Sequence, residues 1–150
     1  MNISSPAFPH GGSIPERYSQ FGRNVSPPLS FADVPGKAGS LALIVDDPDA
    51  PKGLVTHWIV FNLDPVIRSL EEGNAIKPPA RQGSNTHGNA AYMGPRPPDR
   101  EHRYFFRLYA LDRMLAPPAG ASRNQIDDAL SGRVIAQAEL MGRFAPPAKK

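Results

Sequence analysis

The chain has 150 residues, a formal net charge of +3 and no cysteine. This length suits one domain, residues 1–150, that buries a core without a structural metal or disulfide, and the missing cysteine excludes a thiolate nucleophile. The 17 basic and 14 acidic side chains are scattered, apart from Lys149 and Lys150. We therefore expect no nucleic-acid-binding surface.

Hydropathy indicates that the chain does not span a membrane, and proline content indicates a mostly-β protein. No uncharged apolar run approaches the ~20 residues of a membrane-spanning helix, so we expect no span. Residues 1–12 lack the apolar segment of a secretory signal, and a cytoplasmic location is the expectation. The 18 prolines exceed the usual share of about 5% more than twofold and disfavour long helices.

The first predicted strands surround a proline-rich turn. A short strand is expected near Leu29–Phe31. The apolar run Leu41–Val45 predicts a buried strand that breaks at Asp46, where Asp-Asp-Pro-Asp-Ala-Pro begins. A second strand is predicted over His57–Leu63, and the polar residues 69–85 predict a surface loop.

The second half of the chain adds one helix and two strands. His102–Leu111 is aromatic and aliphatic nearly throughout, which predicts a strand buried on both faces except at Arg103 and Arg107. Ser122 with Gln125 predicts a capping box that opens a helix. Alternation over Ala136–Phe144 predicts a final half-buried strand, and residues 145–150 a flexible tail.

Side chains able to do chemistry gather at predicted strand ends. Asp47 and Asp49 follow one strand, while His57 and His102 open two others. If these strands are neighbours, the side chains share one rim of a sheet. Imidazoles and glycine-loop N–H groups donate hydrogen bonds to anions, and a carboxylate beside a histidine fixes its tautomer or receives an ammonium group. The pattern indicates a site for a small anion or zwitterion.

Each of these residues also has an ordinary structural interpretation. A single histidine at a strand start usually has no ligand, and an Asp-Pro-Asp turn can satisfy its own backbone N–H groups. Trp58, Phe105 and Phe106 are more typical of a core than of a ligand platform.

Several motifs in order resemble the phosphatidylethanolamine-binding protein family, and more closely its bacterial Raf kinase inhibitor-like branch. The resemblance rests on DPDAP at Asp47–Pro51, HW at His57–Trp58 and GPRPP…HRY at Gly94–Tyr104. It extends to NVSPPLSF from Asn24, LALIVDDPDAP from Leu41, RYFFRLYALD from Arg103 and AQAELMGRF from Ala136.

This resemblance implies an antiparallel β-sandwich-like fold with one or two short helices and an anion pocket at one end. The implied ligands are phosphate and phosphorylated head groups such as phosphoethanolamine, with no cofactor and no metal. The implied ligand-binding residues are Asp47, His57, Tyr92, Gly94, Pro97 and His102, and the implied loop-shaping residues are Pro48, Asp49 and Pro51. A homodimer and a protein partner such as a kinase are further implied expectations.

The chain departs from the family pattern near the expected pocket. Arg96 stands where a small residue is common, which predicts a narrower and more cationic mouth. The short spacer Asp99–Glu101 before His102 is expected to shift that histidine. Val55 and Thr56 replace bulkier aromatics, which disfavours a lipid relative to a phosphate-like ligand.

Three functions remain open at this stage. The favoured one is a non-enzymatic anion-binding protein. The second is a metal-assisted or acid–base hydrolase that uses Asp47, Asp49, His57 and His102, although neither an HExxH nor a GxSxG motif is present. The third is a protein-interaction scaffold with an inert pocket.

Overall fold

A computed structural model describes residues 1–148, which form eight strands, one α-helix and one 3-10 turn. The strands are β1 (Asn2–Ser4), β2 (Leu29–Ala32), β3 (Ser40–Asp47), β4 (Val55–Leu63), β5 (Ser69–Leu70), β6 (Arg81–Gln82), β7 (His102–Leu111) and β8 (Val134–Phe144). The helix α1 spans Arg123–Leu130, and the 3-10 turn spans Glu16–Tyr18.

The strands form two antiparallel sheets. The smaller has the order β1-β2-β5, and the larger the order β6-β4-β3-β7-β8. The predicted mostly-β, sandwich-like fold with little helix is confirmed. Among the described residues, no helix is long and apolar enough to cross a membrane.

The larger sheet has an apolar core on each face. Strand β3 sends Leu41, Leu43 and Val45 toward the smaller sheet, and Ala42 and Ile44 toward the helix. Because successive side chains of a strand point to opposite faces, an uninterrupted apolar run is what a two-sided strand requires. Packing on both faces therefore holds this central strand in place, and with it the residues at its carboxyl end.

The helix begins where its capping residues predict. The Ser122 hydroxyl accepts the Gln125 N–H at 3.1 Å, and the Gln125 side chain accepts the Ser122 N–H at 2.9 Å. Ile126 and Leu130 of the helix are buried against the larger sheet. The final strand is also confirmed, and it begins two residues earlier than expected, at Val134.

Three local expectations are wrong. Strand β3 continues through Asp46 and Asp47, because Asp46 still pairs with Phe105 of β7. Strand β7 is fully buried on one face only: Phe105 and Tyr109 are half-buried on the other. Residues 69–85 contain the short strands β5 and β6 as well as loop, and Leu70 is buried.

The expected tail at 145–150 is only partly within the described residues. Residues 145–148 contain no helix or strand, and Lys149 and Lys150 lie outside the described part of the chain.

Candidate ligand-binding site

A cavity of about 570 Å³ opens where β3 ends and β7 begins. Its walls include Asp47, His57, Pro97 and His102, four of the six predicted ligand-binding residues. The remaining walls come from neighbouring loops and strands: Gln20, Ala50, Pro51, Lys52, Val55, His87, Met93, Arg96, Pro98 and Tyr104. The predicted convergence of two imidazoles and a carboxylate on one hollow is present in the structure.

A β-bulge places His57 in the wall. Val45 pairs with Trp58 and Asp46 with Thr56, so His57 is the extra residue on β4 and has no partner on β3. A bulge re-aims a side chain relative to regular alternation. The His57 ring consequently packs at right angles to the Tyr104 ring, with centroids 5.2 Å apart.

The hydrogen bonding of His57 fixes its tautomer. Its Nδ1 lies 2.6 Å from the Met93 carbonyl oxygen, which only accepts hydrogen bonds, so Nδ1 carries hydrogen and donates. Burial lowers the pKa of His57 below 6.5, against the opposing effects of the Met93 carbonyl and the Asp47 charge. At neutral pH the ring is therefore neutral, and Nε2 presents a lone pair.

His102 is held differently from His57. Its Nδ1 lies 2.6 Å from Asp47 Oδ2, and its Nε2 lies 2.7 Å from Asp99 Oδ1. Each ring nitrogen of His102 therefore already has a carboxylate partner within the protein. The expectation that both histidines donate to a bound anion is therefore corrected: the accessible ring nitrogen belongs to His57.

The short spacer before His102 explains part of this arrangement. Asp99 precedes His102 by three residues, which brings its carboxylate back onto the ring. The hydrogen bond from His102 lowers the pKa of the Asp99 carboxyl. The spacer thus ties His102 in place from the side opposite Asp47.

Asp49 holds the loop and does not line the cavity. Its carboxylate binds the Arg103 guanidinium at 2.8 and 2.9 Å and also accepts the Arg103 backbone N–H. Its own N–H donates to Asp47 Oδ1 at 2.8 Å. The Arg103 hydrogen bonds hold the pKa of Asp49 at about 2, below its ordinary 3.8. Pro48 lies between the two aspartates, and Pro51 lines the cavity.

The placement predicted for Tyr92 and Gly94 is wrong. Tyr92 turns away, donating its hydroxyl to the Tyr18 carbonyl at 2.7 Å and packing edge-on against Trp58. Gly94 donates its N–H to Asn24 Oδ1 at 2.7 Å. A Cβ on Gly94 would lie 2.2 Å from the Tyr18 carbonyl oxygen, so glycine is needed for close packing of two backbones.

Tyr104 is the buried polar wall residue that sequence reasoning missed. Its hydroxyl is buried beside the Asp47 carboxylate and makes no hydrogen bond of regular geometry within residues 1–148. Burial, and secondarily the charge of Asp47, raise the pKa of this hydroxyl, which keeps it a donor. A signal was present, because residues two apart on a strand share a face and Tyr104 follows His102 by two.

Three basic side chains surround the mouth of the cavity. Lys52, His87 and Arg96 are exposed and line it, and none forms a side-chain hydrogen bond or ion pair with the described residues. Asp47, the carboxylate in the cavity wall, is bound to His102, which also binds Asp99. The mouth therefore carries unneutralised positive charge, as expected from Arg96.

Three of the four residues named for a hydrolase, all but His57, have both of their polar side-chain atoms in contacts with other residues. Asp49 binds Arg103, and Asp47 and His102 bind each other. Within residues 1–148, no three His, Asp or Glu side chains are grouped to hold a metal ion.

A second buried carboxylate lies on the other face of the sheet. Asp46 is 2% exposed and accepts hydrogen bonds from Arg123 at 2.6 Å and from Thr56 at 3.1 Å. It ties α1 to β3 and β4 directly behind the cavity wall.

Comparison with known proteins identifies the family to which the chain belongs. The family model described as phosphatidylethanolamine-binding protein matches residues 4–145. A UPF0098 protein of Chlamydia pneumoniae is 51% identical over 149 residues, covering 96% of this chain and 98% of the relative. One from Methanothermobacter thermautotrophicus is 47% identical over 148 residues, with the same coverage of 96% and 98%.

Two crystal structures share the fold. A phosphatidylethanolamine-binding protein homologue from Chlamydia trachomatis is 48% identical with a TM-score of 0.91, over 99% of this chain and 97% of that one. E. coli YbcL, described as a member of the mammalian family, is 28% identical with a TM-score of 0.88, over 95% and 96%. The chain belongs to the phosphatidylethanolamine-binding protein family.

Proposed function

We propose that this chain is a non-enzymatic binding protein whose cavity captures a small oxyanion, with a phosphate or phosphorylated head group as the ligand class. The observation that carries the proposal is a set of polar and basic groups at the cavity that lack hydrogen-bond or ion-pair partners. The Tyr104 hydroxyl and His57 Nε2 have no partner among residues 1–148, and three basic side chains flank the mouth.

The energetics favour a polar occupant. A buried hydroxyl without a hydrogen bond costs about 1–3 kcal/mol, which a ligand acceptor removes. Cations at the rim of a concave, low-dielectric site raise the local concentration of anions. The cavity volume of about 570 Å³ also fits the range of ordinary small-molecule sites.

The interior disfavours an ammonium group as the recognised feature. Both oxygens of Asp47 already accept hydrogen bonds, from His102 and from the Asp49 N–H, which weakens the attraction of this carboxylate for an ammonium group. A zwitterion such as phosphoethanolamine would therefore enter with its phosphate inward and its ammonium toward solvent.

Calorimetric titration with phosphoethanolamine tests the proposal. We expect saturable binding, weakened about two- to fivefold by Arg96→Met, because one exposed charge contributes up to about 1 kcal/mol. Lys37→Met is the matched control, since Lys37 is an exposed cation in the turn before β3, outside the cavity walls. No heat of binding at millimolar ligand, or equal weakening by both variants, would argue against the cavity.

A homodimer and a regulated protein partner such as a kinase stay predictions from the family resemblance. The anion site does not depend on either.

A further inference from the structure

We infer that the cavity selects a phosphate group that still carries one proton, as in inorganic phosphate or a phosphate monoester, over oxyanions that carry none. This rests on the anion-binding function proposed above. Sulfate and phosphodiesters, including the head group of an intact phospholipid, are the disfavoured class.

The neutral His57 ring has one nitrogen that donates and one that accepts. Its single N–H is used by the Met93 carbonyl at 2.6 Å. Its Nε2 has no partner within residues 1–148, yet the Tyr104 hydroxyl is the buried side-chain polar atom left without one. Nε2 is therefore reached by solvent, and the solvent-accessible space beside the ring is the cavity.

A fully ionised oxyanion does not match this lone pair. Every oxygen of sulfate is an acceptor, so one of them would face an acceptor nitrogen. A singly protonated phosphate offers both types of atom: its P–OH donates to Nε2, and its remaining oxygens accept from Tyr104 and the rim cations. The cavity thus matches a small group that has one hydrogen-bond donor and several acceptors.

The groups around His57 do not supply the missing proton by another route. Those on its side of the sheet are Asp47 on β3, His102 and Tyr104 on β7, Lys52 on the β3–β4 loop, and His87 and Arg96 on the loop before β7, while Asp46 acts on it through the sheet. Asp47 is bound to His102, and Asp46 to Arg123 on the far face of the sheet. Protonating His57 itself is opposed by its burial.

Proton balance gives the measurable consequence. Near pH 7.5 a phosphate monoester is mostly dianionic, because its second pKa is about 6. The complex then holds one more proton than the separated partners, carried by the ligand oxygen that donates to Nε2. Linkage requires the affinity to fall about tenfold for each pH unit above pH 7.

Calorimetry in two buffers of different ionisation enthalpy tests this at pH 7.5. The probes are phosphoethanolamine, the diester glycerophosphoethanolamine, and sulfate. We expect uptake of close to one proton with phosphoethanolamine. The other two should bind about ten- to a hundredfold more weakly, the usual effect of losing a hydrogen bond to a charged group.

Two other results overturn the inference and are distinguishable. Equal affinity for all three probes without proton uptake removes the proton selectivity and leaves the anion-binding function in place. No binding of any probe at millimolar concentration removes both. A repeat with His57→Gln locates the effect, since the tenfold-per-unit dependence on pH and the preference over sulfate should shrink together.

Discussion

Two tyrosines near the cavity differ in whether the hydroxyl group has a hydrogen-bond partner. Tyr92 and Tyr104 are both close to the cavity, and both hydroxyls have raised pKa values because of burial. Tyr92 donates to the Tyr18 carbonyl, whereas Tyr104 has no partner within the described residues. The first hydroxyl stabilises the fold, and the second is the one that we propose donates to a ligand.

Substitution by phenylalanine should separate these roles. Tyr92→Phe removes a satisfied hydrogen bond and should lower the free energy of unfolding by about 1 kcal/mol. Tyr104→Phe removes a buried hydroxyl without a partner and should leave stability unchanged or raise it by up to about 1 kcal/mol, while weakening phosphoethanolamine binding. Urea unfolding together with calorimetry measures both; a strongly destabilised Tyr104→Phe protein would contradict this assignment.

The buried imidazole of His57 should make stability depend on pH. Its pKa is lowered below 6.5 in the folded state, so below that pH the unfolded chain binds more protons. The stability that the neutral His57 ring contributes is therefore complete above pH 6.5 and is lost as the solution is acidified below that pH.

Denaturant unfolding between pH 7.5 and 5 measures this slope. His57→Gln should flatten it, whatever its effect on absolute stability, because glutamine does not titrate. The ion pair of Asp49 does not contribute in this window, since its stabilisation is lost only as pH falls from 3.8 toward about 2. Identical slopes for the two proteins would show that His57 is not the group responsible.

At the scale of elements, strand β3 joins two different polar environments. Asp46 faces the helix and Asp47 faces the cavity, because adjacent residues of a strand point to opposite sides. Arg123 on α1 pairs with Asp46 and also with Asp127, at 2.8 Å. The helix is therefore fastened to the strand end that carries the site.

Breaking this buried pair from one side should be costly. Arg123→Met leaves the Asp46 carboxylate buried without its main partner, and we expect a loss of about 2–4 kcal/mol of stability. The double variant Asp46→Asn, Arg123→Met should recover part of that loss, because no uncompensated charge remains. Thermal unfolding of the two variants checks the order; a double variant as unstable as the single one would contradict it.

Strand positions were predictable from local pattern, but the aim of individual side chains was not. The apolar runs and the Ser122 capping box placed β3, β4, β7, β8 and α1. His57 faces the cavity because of a bulge, which depends on the register with β3. Tyr92 and Gly94 were misplaced because a loop has no periodicity from which side-chain direction can be read.

At the scale of the whole molecule, the cavity lies where several distant segments meet. The β3 end, the β3–β4 loop, the loop before β7 and Gln20 near the amino terminus all contribute walls. Asp49 with Arg103, and Asp47 with His102, join residues more than fifty positions apart. These contacts pre-form the cavity, so binding requires little reorganisation and more of the interaction energy becomes affinity.

The central claim is that the cavity binds a phosphate-type anion at His57. Titration of inorganic phosphate into protein labelled with ¹⁵N at histidine tests it most directly, with the ring nitrogens of His57 and His10 followed by NMR at pH 7. His10 is the internal reference, because it lies beside β8 and outside the cavity walls. We predict a saturable change at His57 Nε2 and none at His10. A His57 signal that stays unmoved at millimolar phosphate, or moves only in parallel with His10, would contradict the account.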